Sequence, residues 1–396
     1  MLAVSRSEFH LRLFRWLFCV VVLVRGVTPS LPQSSARPSP AQVIAPKPPT
    51  PVTIEGKQVL VYELHITNYG PSALTLTRIQ VFGKLAVDYS PVPKSDVGLA
   101  DYSGKDLTKL LEPVGAADPT NLGHLEVGKL IIAFMYVALP QDSSLFALRH
   151  RFSFDVADPS RAKGTPNDET ALDGVVVPVL RQAPSILRPP LGDGVWLAGN
   201  GPANDSIHRR AVIALDGRAF ISQRFAADWM MVGPNGNTFH DGRARNENFW
   251  GFGQPVLAVA DGEVTEVVDG IPDHLPDHPP DVTLRTIAGN HVIVCIAPGV
   301  YAMFAHLKPG SIRVRLHQQV KSGEALAELG DSGNTTAPHL HFQLMDANSA
   351  LAAEGIPYVF ENFRFLGFGK EFEMDKHPDQ LRSFSLPMDD TVLRFY

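Results

Sequence analysis

Ser332-Gly333-Asn334-Thr335-Thr336-Ala337-Pro338-His339-Leu340-His341-Phe342-Gln343-Leu344 is the stretch on which the reading of this chain turns. Its first half is turn chemistry: Gly, Asn and Pro supply and fix unusual backbone angles. Its second half alternates His/Leu/His/Phe/Gln/Leu, which predicts a short strand. Residues two apart in a strand share a face, so His339 and His341 project side by side. Two imidazoles on one rigid strand at the end of a fixed turn suit a metal or proton-transfer site. Taken alone, the pair also fits a half-buried strand with two solvent-facing histidines.

Working outward, Pro255-Val256-Leu257-Ala258-Val259-Ala260-Asp261-Gly262-Glu263-Val264 reads as strand, Asp-Gly turn, strand. Residues 291–296, 300–306 and 325–329 read as further strands. Upstream stand a strand at 211–215, then Gln223-Arg224-Phe225-Ala226-Ala227-Asp228-Trp229 and a polar loop, 233–251, holding His240 and Asp241. The loop at 271–281 carries His274 and His278, read as solvated. The tail, with Tyr358-Val359-Phe360 and Val392-Leu393-Arg394-Phe395-Tyr396, is expected to add edge structure. A Pro- and Gly-rich segment at 177–201 marks a boundary. Before it, alternating runs at 59–68, 74–82, 129–139 and 148–156, separated by turn clusters, predict an antiparallel β-sandwich of immunoglobulin-like type. His65, His124 and His150 are isolated there and read as structural or surface residues.

The 396 residues suffice for two domains, and 44% apolar with 19% charged residues describes a globular chain. The 33 Pro and 32 Gly point to many short strands rather than long helices. A net charge of -6 argues against nucleic acid as a partner, because phosphate binding needs a basic surface. Arg6, Arg12 and Arg15 flank the apolar run 16–24, the layout of a secretory signal peptide, with an uncleaved membrane anchor as the alternative. No other membrane contact is expected. Cys19 lies in that run, so Cys295 is the one mature cysteine and no internal disulfide forms. The expected order is a signal peptide at 1–28, a Pro-rich linker at 29–51, the sandwich at 52–185, and a β-rich domain with its tail at 186–396.

That last domain resembles the lysostaphin/LytM-type zinc endopeptidases that cut peptidoglycan peptides. The likeness is carried by Gly253-Gln254-Pro255-Val256, Asp261-Gly262-Glu263-Val264, Tyr301 to His306-Leu307 and Val320-Lys321-Ser322-Gly323-Glu324. It continues through Gly330-Asp331-Ser332-Gly333-Asn334 to Pro338-His339-Leu340-His341-Phe342. The resemblance implies an enzyme of all-β fold with zinc as cofactor and peptidoglycan peptide as substrate, while export is read from the signal-peptide layout at the start of the chain. It puts Asp228 and His341 at two ligand positions, His339 as general base, and His306 as stabiliser of the developing oxyanion. Such a donor set leaves a coordination position for water.

One position departs from the family pattern. A ligand His is expected four residues before Asp228, where this chain has Arg224, a permanent cation that cannot coordinate a metal. Three outcomes stay open. His240, or less readily Asp241 or Glu247, completes the ligand set; or the site binds metal poorly. Otherwise the domain is catalytically degenerate and serves as a wall-binding or amidase-activating module, with Arg224 paired to Asp228 in the metal's place.

Overall fold

The strand Lys57–Asn68 is buried along most of its length on both faces, so it is covered by protein on either side. Leu60, Tyr62, Leu64 and Ile66 face one core; Val59 and Val61, on alternate positions, join a different one. The computed structural model describes residues 39, 41–85, 96–115, 118, 120–141, 145–157, 168–370 and 373–396. The expected signal peptide and the start of the linker lie outside them.

The first core lies between two five-stranded sheets. In one, Ala41–Ile44, Lys57–Asn68, Leu130–Ala138 and Leu111–Pro113 are neighbours in that order, with Val52–Ile54 also on Lys57–Asn68. In the other the order is Asp168–Pro178, Leu145–Val156, Leu74–Leu85 and Val97–Ser103, with His124–Leu125 on Leu74–Leu85. The end of the expected linker is therefore part of the fold: Ala41–Ile44 pairs antiparallel with residues 65–68. Its Ala41 is buried in the sandwich core, which the density of prolines around it concealed.

The second core belongs to an eleven-stranded sheet. Its order is Ser185–Leu187, Tyr358–Lys370, Thr391–Phe395, Gly194–Gly199, Ala227–Met231, Leu340–Met345, Val300–Leu307, Asn290–Ala297, Gly262–Val268 and Gln319–Val320. Glu373–Ser385 hangs on Tyr358–Lys370. The tail is not edge structure. Thr391–Phe395 sits between Tyr358–Lys370 and Gly194–Gly199, and Phe395, Leu393, Phe360 and Trp229 fill the core around it.

Val59 and Val61 of the sandwich enter this same core, and Ile132 and Phe134 of the neighbouring strand pack against Ile221. The outer face of the first sheet is thus a docking surface, and residues 39–396 form one compact unit. No helix among the described residues is long and apolar enough to cross a membrane.

His150, fully buried in the sandwich, is held at both nitrogens. Nδ1 donates to the Val175 carbonyl (3.2 Å), and Nε2 lies 2.7 Å from the Tyr62 hydroxyl. Burial, the largest influence, pushes its pKa down to about 4. The unfolded chain therefore takes up this proton first, near the ordinary value of about 6.5, and stability falls as pH drops from there toward 4. Chemical denaturation at pH 7 and pH 4.5 should show the wild type losing roughly 2 kcal/mol more than a His150→Gln variant. Equal losses would contradict a neutral, buried His150.

Candidate functional site

Cross-strand register assembles the site. Asp228 pairs directly with His341 on the adjacent strand, and His341 pairs with Ala305, the neighbour of His306, on the next. On its other side Asp228 is opposite Gly199, which places Asn200 at the strand end. His339 and His341 do share a side: His339 Nε2 is 3.3 Å and His341 Nδ1 3.0 Å from the same carboxylate oxygen, Oδ1 of Asp228. Asp228, His306, His339 and His341 are all buried, and Asn200 is half-buried.

The residue that completes the cluster is His208, twenty positions before Asp228. Its Nε2 lies 3.4 Å from Asp228 Oδ2 and its ring centroid 4.7 Å from that of His341. One ligand atom each from His208, Asp228 and His341 fall within 4.8 Å of one another, a set that could hold a metal ion. The donor chemistry fits zinc, which takes imidazole and carboxylate and needs only a small contraction from these separations. Burial, first among the influences, pushes His208 down to about 4, so its ring is neutral near pH 7 and keeps a lone pair for a cation.

The outer supports are also in place. Because a carbonyl oxygen can only accept, His208 Nδ1 donates to Asn200 O (2.9 Å), which directs Nε2 at the cluster. Asn200 Nδ2 donates to Asp228 Oδ2 (2.8 Å), so one residue orients two candidate ligands. His341 Nε2 is 2.8 Å from Gln343 Oε1, leaving Nδ1 toward Asp228. Burial by itself raises the Asp228 pKa, but His208, His339 and the hydrogen bonds from His339 and His341 outweigh it. The carboxylate is held well below its ordinary range.

His306 and His339 face the same cleft, of about 340 Å³, that Asp228, His208 and His341 line. Both anchor Nδ1–H on a backbone carbonyl, Ser332 O for His306 and Ala337 O for His339, each at 2.8 Å. His306 holds a left-handed backbone, φ 62°, sparsely populated for non-glycine residues and common at functional sites. The turn beneath it requires glycine: a Cβ on Gly289 would meet Ser332 O at 2.1 Å, and one on Gly333 would meet Gly289 N at 2.3 Å. That close approach sets the carbonyl that orients His306. Burial, followed by His339 and His341, pushes the His306 pKa well down. His339 moves the other way: burial lowers it, and the adjacent Asp228 charge and hydrogen bond raise it more.

Two expectations fail. His240 is not at the site; it sits at the surface, with Nδ1 2.7 Å from Asp241 Oδ2 and its ring against Trp250. Sequence proximity to Asp228 was a poor guide, because the strand Ala227–Met231 carries the chain away from the cluster before the polar loop begins. Arg224 does not pair with Asp228. It lies in the turn before the strand, gives two nitrogens to Glu63 (2.8–3.1 Å), one to Glu354 (2.5 Å) and one to Gly355 O (2.9 Å), and leaves the metal position clear. His274 and His278 stay in their loop, His274 on Thr335 and His278 on Pro276 O. Asn200, His208 and Gln343 were missed. The one local signal was a histidine after the turn-rich run Asn200-Gly201-Pro202-Ala203-Asn204-Asp205.

The model of peptidase family M23 matches residues 249–353. The cell division protein DipM of Caulobacter vibrioides is 36% identical over 92 residues, 23% of this chain; the match spans only 12% of DipM's own length. The catalytic domain of the antimicrobial peptidase lysostaphin from Staphylococcus simulans is 20% identical, with 42% of this chain and 88% of that one covered and a TM-score of 0.23. A putative peptidase M23 from Pseudomonas aeruginosa is 15% identical, with 68% and 86% covered and a TM-score of 0.22. The family match takes in His306, His339 and His341 and begins after His208 and Asp228. Residues 249–353, within the large-sheet half of the chain, match peptidase family M23.

Proposed function

We propose that this chain is an exported zinc endopeptidase that hydrolyses peptide bonds of peptidoglycan, with His208, Asp228 and His341 holding the metal. The observation that carries this is the convergence of four imidazoles and one carboxylate at the floor of one cleft. Export rests on the basic flank and apolar run at residues 1–24, which lie outside the described residues. The peptidoglycan substrate rests on the M23 match and on a relative named as a cell division protein.

Bound there, zinc supplies Lewis-acid activation of water and of an amide carbonyl. The residues of the chain do the proton work. With Nδ1–H committed to Ser332 O, a neutral His306 presents Nε2 as an acceptor, so we assign it the proton of the attacking water. That reverses the roles the resemblance implies, since a neutral ring held this way has no N–H for an oxyanion. His339, kept more basic by Asp228, is the donor at Nε2 to the oxyanion or leaving amine. The alternative, a catalytically degenerate wall-binding or amidase-activating module, was motivated by Arg224; His208 beside Asp228 and His341 supports the enzyme reading over it.

Purified protein should bind one equivalent of zinc. His208→Ala, Asp228→Ala and His341→Ala should each abolish it in metal analysis after dialysis, while His240→Ala retains it. Retention of zinc by His208→Ala would sink the ligand set. His306→Ala and His339→Ala should keep the metal and lower peptidoglycan-peptide cleavage roughly 100- to 10,000-fold. Unchanged cleavage in both would leave zinc binding without the proposed chemistry. Asn200→Ala removes the bond to Asp228 and should weaken zinc roughly 10- to 100-fold, measured by chelator competition.

A further inference from the structure

The segment that delivers His208 belongs to no sheet. The strand Gly194–Gly199 ends before it and Ile213–Leu215 begins after it. From the large sheet's side it has Asn200 on Asp228 and Gly201 N on Asp389 Oδ1 (2.9 Å). Beyond Gly201 its grip comes from the sandwich. Arg209, next to His208 and fully buried, abuts the Glu63 carboxylate and donates from Nη2 to Tyr62 O (3.0 Å). Arg210 donates to Lys109 O (2.6 Å) and Glu112 (3.3 Å), and Asn204 Nδ2 donates to Phe134 O (2.7 Å). Both guanidinium groups lie over the Phe134 ring, at 5.1 and 4.9 Å. Val212 packs against the cluster of Ile132 and Phe134 from the sandwich with Ile221.

We propose that the N-terminal sandwich is a positioning scaffold for the metal centre: Glu63, acting through Arg209, and the Phe134 strand hold His208 against Asp228 and His341. This rests on the three-ligand reading above. The strand Lys57–Asn68 is rigid because both its faces are packed, so its odd-numbered face offers a fixed carboxylate to a segment without a ladder of its own. Glu63 also takes Arg224. The cation at the vacated ligand position and the one beside the substitute ligand thus share a counter-ion. Glu63 and Arg209 are positioning residues; neither touches the cleft.

The test uses the full chain and zinc alone. Glu63→Leu with Arg209→Leu removes one negative and one positive charge together and leaves Arg224 paired with Glu354, so the fold keeps its charge balance. Arg210→Ala cuts the outer grip at a partly exposed site. Both variants should unfold thermally close to wild type in the metal-free state, yet bind zinc at least tenfold more weakly in chelator competition. Wild-type zinc affinity in both would overturn the scaffold while leaving the ligand set standing. Should the double variant fail to fold, Arg210→Ala decides by the same readout. If wild type fails to bind zinc, or His208→Ala binds it as tightly as wild type, the three-ligand reading falls and the scaffold proposal with it.

Discussion

Glu63, Arg209, Arg224 and Glu354 form a charge cluster almost entirely removed from water, and the arrangement of the site depends on it. A buried ion costs several kcal/mol unless it is paired and hydrogen-bonded, so once two guanidinium groups are inside, carboxylates must follow. The pairing fixes where each arginine points. Arg224 is drawn toward the sandwich and away from Asp228, and Arg209 pulls the chain beside it down onto the same face.

Asp228 plays the corresponding part inside the cleft. Every imidazole of the site except His306 has a nitrogen within 3.4 Å of its carboxylate, and Asn200 supplies the neutral hydrogen bond that fixes its orientation. One anion facing several imidazoles is a donor pattern suited to a divalent cation. Strand register sets the Asp228–His341 distance, whereas His208 and Asn200 reach the carboxylate from a segment outside the sheet.

Local patterning made much of this legible. The alternation after Pro338 correctly put His339 and His341 on one side, and the succession of short apolar runs and turns announced a β-rich chain. What stayed hidden was non-local. His208 is a neighbour of Asp228 only because the loop 200–212 folds back over the strand end, and no periodicity reports such a return. His240 was favoured by closeness along the chain, a weak proxy once a strand intervenes. The prolines from 29 to 51 suggested a spacer, although a short edge strand tolerates proline around it, and Ala41–Ile44 is one. Glu63 stands in the alternating run 59–68, but its partners Arg209 and Arg224 lie about 150 residues away along the chain, so nothing local announced its burial.

A strand wetted on neither side has no spare face to give up. If the sandwich were exchanged for an unrelated module, Val59 and Val61 would leave gaps in the neighbouring interior and two guanidinium groups would lose their counter-charge. Sequence change in the two halves is therefore coupled: drift on the outward face of the Glu63 strand must be matched by drift around Arg209 and Arg224. What looks in sequence like two separate modules is, at this seam, one packed interior.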